Sequence, residues 1–116
     1  MTTVLPQPQP DQIDLPNVLA ALGDQTRLAI VGYLARIGPE GMICREFHGL
    51  TSKTNLTYHV GKLREAGIVS VTPEGTRRRI ILRQADLDER FPGFLPAIIA
   101  SATDLPELTH HEEENA

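Results

Sequence analysis

Apolar residues recur at helical spacing along most of this chain and switch once to a strand-like alternation. Leu15, Val18, Leu19 and Leu22 form a short stripe that opens with Pro16, a residue suited to a first helical turn. Gly23-Asp24 breaks that helix, and Asp24 can cap the next, over residues 26–37. There Leu28, Ile30, Val31, Leu34 and Ile37 spread around much of the surface, which predicts a buried central helix. Gly38-Pro39-Glu40-Gly41 reads as a turn. Residues 42–49 follow as a helix, with Ile43, Phe47 and Leu50 at helical spacing. The next helix covers about residues 52–66 and carries the stripe Leu56, Val60 and Leu63. Thr51 or Ser52 can cap its start, and Gly67 suits the left-handed position past its end.

The pattern then changes period. Ile68-Val69-Ser70-Val71 is β-branched and alternating, Pro73-Glu74-Gly75-Thr76 is a turn cluster, and Ile80-Ile81-Leu82 closes a hairpin over residues 68–83. A last helix begins at Pro96, or at Pro92 with a kink. Its apolar face is Phe91, Leu95, Ile98, Ile99 and Ala102. A domain this small cannot fully cover that face, so with Leu15, Val18, Leu19 and Leu22 it is the expected dimerisation surface. Covering the monomer's own core is the plainer reading. The fold class is therefore mainly α with a small β-hairpin. Residues 15–102 form the domain, 1–14 a disordered proline-rich arm and 103–116 a disordered acidic tail.

The polar face of the helix over residues 52–66 directs attention to chemistry. Ser52, Lys53, Thr54, Asn55, Thr57, Tyr58 and Lys62 supply hydroxyls, an amide, a phenol and cations, with no carboxylate before Glu65. A merely solvated face mixes signs. Such groups read base edges and hold phosphates. His59, at the edge of the apolar stripe, reads either as an internal hydrogen-bonding residue or as a phosphate contact. Arg77, Arg78 and Arg79 put a cationic run beside the hairpin turn. Such a run can simply protect an edge strand. Behind a helix of this composition it reads as a wing that holds the DNA backbone.

Charge distribution supports this more than total charge does. The 116 residues carry a net −4, but residues 24–83 hold ten Lys or Arg against five Asp or Glu. Residues 84–116 hold one Arg against eight acidic residues. A basic centre with an acidic tail fits nucleic-acid contact. The single cysteine, Cys44, excludes an intramolecular disulfide and a multi-cysteine zinc finger. No stretch approaches the ~20 apolar residues of a membrane span, and no signal peptide is evident, so a cytoplasmic protein without a membrane partner is expected.

Residues 22–30 read Leu-Gly-Asp-Gln-Thr-Arg-Leu-Ala-Ile, and 56–69 read Leu-Thr-Tyr-His-Val-Gly-Lys-Leu-Arg-Glu-Ala-Gly-Ile-Val. In that order, with the arginine-rich hairpin behind them, they resemble the ArsR/SmtB family of bacterial winged helix-turn-helix repressors. The likeness covers residues 15–102. It implies a winged helix-turn-helix fold, a homodimer joined through the first and last helices, and a double-stranded DNA operator as partner. The helix over residues 52–66 would be the recognition helix, with the one over 42–49 crossing the backbone before it.

The family's usual metal sites lack their ligands here. The helix before the recognition helix has Cys44 alone, and residues 91–102 contain no His, Asp, Glu or Cys. No metal and no cofactor are therefore expected. Cys44 and His48 share one side of the predicted helix near its start, beside Arg45, conditions that lower a thiol pKa. A thiolate there could sense an oxidant or a small-molecule electrophile. The plainer reading is a small buried cysteine and a surface histidine. His110 and His111, with the glutamates after them, make a poor preformed metal site on a tail. Two rivals remain: a winged-helix protein-interaction module without DNA binding, and an enzyme. The second lacks paired carboxylates, a nucleophile–base–acid set and a phosphate-binding glycine loop.

Overall fold

The computed structural model describes residues 6–47 and 49–102. Its elements run in order: a 3-10 turn Pro10–Gln12, α1 Leu15–Leu22, α2 Gln25–Ile37, β1 Met42–Ile43, a 3-10 turn Cys44–Phe47, α3 Lys53–Glu65, β2 Val69–Glu74, β3 Arg77–Leu82, α4 Gln84–Arg90 and α5 Phe94–Ser101. This is the mainly helical fold with a β-hairpin that the pattern predicts.

Side-chain caps set the helix starts. Asp14 accepts from the backbone N–H of Asn17, Asp24 from that of Arg27 and Ser52 from that of Asn55. Each satisfies a donor that the first helical turn leaves unpaired. Gly67 follows α3 at φ +84, the left-handed conformation that ends a helix without a Cβ penalty. Pro96 lies in the first turn of α5, which starts at Phe94.

Phe47, Ile30, Leu34, Leu63, Ile68, Ile80, Leu87 and Leu95 are each at most 1% exposed and form one core with Val18, Leu22 and Leu56. α2 is the central helix, with Ile30, Val31 and Leu34 buried, although Ile37 is left 45% exposed.

Residues 42–49 depart from the expected helix. Met42 and Ile43 pair antiparallel with Ile80 and Arg79, so the sheet has three strands in the order β1-β3-β2. Only Cys44–Phe47 then turn, as a 3-10 segment, with the Glu46 carboxylate accepting from the Ile43 N–H at 2.8 Å. Pairing with β3 uses the backbone groups a helix would need. The hairpin register runs from Val69 opposite Leu82 to Glu74 opposite Arg77. Pro73 and Glu74 belong to the strand, and the turn is Gly75-Thr76.

The proline-rich arm is a second departure. Over residues 6–14 it lies against the domain, and Ile13 is 1% exposed. Prolines remove donors but keep carbonyls. Those carbonyls find arginines: Arg64 donates to Pro6 O at 3.2 Å and Arg83 to Pro8 O at 2.8 Å. Arg90 donates to Ile13 O. The expected acidic tail, residues 103–116, lies outside the described residues.

Candidate nucleic-acid interface

α3 divides cleanly between core and solvent. Leu56, Val60 and Leu63 are buried, whereas Ser52, Lys53, Thr54, Asn55, Thr57, Tyr58 and Lys62 are exposed. Two of the exposed hydroxyls are already engaged locally. Ser52 caps the helix, and Thr57 donates to Lys53 O at 3.1 Å, which leaves its lone pairs free to accept and its methyl free for contact. Tyr58 is 57% exposed, a large aromatic ring standing in water. The Lys62 ammonium lies 5.5 Å from the centre of that ring.

His59 points inward, unlike Tyr58 beside it. Its side chain is 14% exposed, and its Nδ1 lies 3.0 Å from Arg27 Nη1 and 3.9 Å from an Asp24 oxygen. A guanidinium can only donate, so Nδ1 is the acceptor in this contact. Arg27 also donates to Ala21 O. The expected DNA contact at His59 is thus a joint that ties α3 to the start of α2. Burial raises the Asp24 carboxyl pKa, but the Arg27 backbone N–H, the nearby His59 and the Arg27 charge hold it below the ordinary value.

The three wing arginines part ways. Arg77 and Arg78 are exposed. Arg79 is committed within the protein: it bonds both Glu74 carboxylate oxygens and donates to Glu40 O at 2.9 Å. The Arg79 hydrogen bond in turn holds the Glu74 carboxyl below the usual carboxylate range.

Between the start of α3, the Cys44–Phe47 turn and the wing tip runs an open cleft of about 480 Å³. Arg45, Lys53, Arg77 and Arg78 line it with Ile43, Cys44, Leu56, Thr57 and Thr76, and among the described residues no carboxylate joins them. Beyond the apolar lining and Cys44, Arg45 and Thr76 are the members not expected there from the sequence. Arg45 follows the short β1 strand, and only the pairing of β1 with β3 brings it beside the wing.

Cys44 lies in this cleft, half-buried. Burial pushes its thiol pKa up, and Arg78 offsets part of the rise. The lowered pKa expected at this position is not found, because burial outweighs the neighbouring charge; the expected helix is itself a strand followed by a short 3-10 turn. His48, the suggested companion of Cys44, lies outside the described residues. Among the described residues, no group of three or more His, Cys, Asp and Glu could hold a metal ion.

The residues expected at a dimer surface divide by burial. Val18, Leu22 and Leu95 are buried in the chain's own core, whereas Leu15 and Leu19 are 39% and 48% exposed. Phe91, Ile98 and Ile99 are half-buried. A shallow apolar groove of about 230 Å³ joins α1 to α5 through Leu19, Leu22, Leu28 and Ile98. No helix among the described residues is long and apolar enough to cross a membrane.

Comparison with known proteins agrees with this architecture. Residues 22–72 match a family model described as a helix-turn-helix domain. That span runs from the end of α1 through α2, β1 and α3 into β2. The chain is also similar to YceK of Bacillus subtilis (strain 168), which is named as an uncharacterized HTH-type transcriptional regulator. The two are 32% identical over 84 residues, which cover 71% of this chain and 83% of the relative. With a capped α3 standing out of the core beside a three-stranded sheet, the chain belongs to the family of helix-turn-helix transcriptional regulators.

Proposed function

We propose that this protein is a sequence-specific DNA-binding repressor of the ArsR/SmtB kind that works as a homodimer. The observation that carries the DNA-binding reading is the cleft at the start of α3, where Arg45, Lys53, Arg77 and Arg78 converge with no carboxylate from the described residues among them. Cations so placed displace counterions from a phosphate backbone, which supplies most of the affinity for DNA. Thr54, Asn55, Thr57 and Tyr58 project from the same helix and read base edges in the major groove. Ser52, Lys53 and Lys62 hold flanking phosphates.

Dimerisation uses the apolar edge of α1 and α5, where Leu15 and Leu19 stand in water. Two α3 helices then enter successive major grooves about 34 Å apart on a near-palindromic operator. The raised Cys44 pKa weighs against a thiolate sensor at that position. The protein-interaction alternative leaves the convergence of four cations at the cleft without a role.

The test is a double substitution, Lys53→Ala with Thr57→Ala, assayed by anisotropy on an operator duplex. Loss of one phosphate and one base contact lowers affinity about tenfold or more. Unchanged affinity in a folded variant refutes the role of α3. Sedimentation of the protein alone tests the dimer.

A further inference from the structure

The segment before α1 touches, at neighbouring residues, α3 and the hairpin, the two elements that carry the proposed DNA-facing surface. Pro6 O accepts from Arg64 Nε at 3.2 Å, and Arg64 lies in the last turn of α3. Gln7 is aligned with β2. Its Oε1 accepts from the Val71 N–H at 3.0 Å, and its Nε2 donates to Val71 O at 3.3 Å. β2 is an outer strand of the sheet, so the N–H and C=O of Val71 point away from β3. A primary amide carries both a donor and an acceptor, and Gln7 thereby supplies one rung of an absent neighbouring strand. Pro6 and Pro8, having no N–H, could not supply the donor of that rung.

The helix–wing joint lies between these two anchors. Ala66, Gly67 and Ile68 are all buried, and Ile13 and Pro8 pack against Gly67. β1 holds the hairpin along its β3 side, through Met42 opposite Ile80 and Ile43 opposite Arg79, which leaves the β2 side to be tied down. Pro6 and Gln7 add that tether, one on each side of the joint, opposite the edge that β1 holds.

We propose that Gln7 is a positioning residue for DNA binding: with Pro6 it straps β2 to the end of α3 and so holds the wing, with Arg77 and Arg78, at a set angle to the recognition helix. The proposal rests on the reading of α3 and the wing as the DNA-contacting surface. A wing held in place before binding loses less freedom on binding, which raises affinity without adding a contact.

The experiment uses the full chain with Gln7→Ala, Arg77→Ala/Arg78→Ala and all three substitutions together. In the free protein, amide hydrogen exchange over residues 70–78 should speed up about five- to tenfold in Gln7→Ala, while residues 56–63 of α3 keep their rates. Unchanged exchange in the wing overturns the strap, whatever the DNA result. On an operator duplex, Gln7→Ala should weaken binding about three- to tenfold in the wild-type background and not at all once Arg77 and Arg78 are gone. An equal loss in both backgrounds overturns the positioning role. If the wild-type chain binds no duplex at all, the DNA-contact reading fails by itself, and the exchange rates still decide whether Gln7 holds the wing.

Discussion

Replacing Gly67 by alanine probes the joint between α3 and the wing. Gly67 adopts φ +84, and an alanine held in that left-handed region costs about 1 kcal/mol. The added Cβ would also stand 2.5 Å from Ile13 Cγ1, 2.9 Å from Ile13 Cδ1 and 3.1 Å from Pro8 Cγ. Ile13 is 1% exposed and cannot move aside without leaving the core. Overpacking of that kind adds about 1–3 kcal/mol, for a total of about 2–4 kcal/mol. Gly75→Ala is the matched control. Gly75 also has a positive φ, +62, but a Cβ there meets nothing within 4 Å. It should cost only the conformational term, about 1 kcal/mol. In a domain of this size each kcal/mol moves the melting temperature by about 4 °C, so Gly67→Ala should melt about 8–16 °C lower and Gly75→Ala about 4 °C lower. Thermal melts followed by circular dichroism measure both. Equal shifts would refute the packing of the N-terminal segment against the joint.

Three further outcomes follow from the charged groups. Glu74→Gln removes a carboxylate from the wing and releases Arg79, so affinity for duplex DNA should rise about two- to fivefold at low salt and the salt slope steepen by up to about 0.9; an unchanged slope means that Arg79 reaches no phosphate. Asp24 has its folded pKa held below the ordinary value of 3.8, so its charge stabilises the fold above that pH, and this contribution is lost as pH falls through the folded value. Asparagine keeps the cap but not the charge, so the gap in melting temperature between wild type and Asp24→Asn should stay level near neutrality and close below about pH 4; a constant gap down to strong acid sinks the assignment. Cys44, with its pKa raised by burial, should react with iodoacetamide at neutral pH more slowly than an unfolded peptide thiol, and Arg78→Ala should slow it further; faster reaction in that variant contradicts the environment described.

Local signals made the helix that carries the candidate interface legible. Ser52 before the stripe and Gly67 after it bracket α3 because caps and left-handed ends are written in neighbouring residues. The apolar stripe Leu56, Val60, Leu63 fixes which face is buried, and so which side chains project. Long-range pairing was less legible. Ile43, Phe47 and Leu50 satisfy helical spacing, yet Met42 and Ile43 are drawn into a strand by β3, far along the chain. That pairing is also what brings Arg45 beside the wing. Arg79 looks like Arg77 and Arg78 in the sequence, and only the hairpin register sets it against Glu74. His59 differs from Tyr58 by one helical step, enough to turn it toward Arg27. The proline-rich arm reads as unstructured because prolines make no helix. Its order comes from Arg64, Arg83 and Arg90, which reach carbonyls that local sequence cannot pair.

The most direct test of the central claim is a fluorescence-anisotropy titration on the duplex upstream of the protein's own gene, against a scrambled duplex, at several salt concentrations. Selective binding is expected, on the order of a thousandfold tighter to the native duplex, with a log–log salt slope of about −0.9 for each phosphate engaged. Weak binding of equal strength to both duplexes at every salt concentration would contradict it.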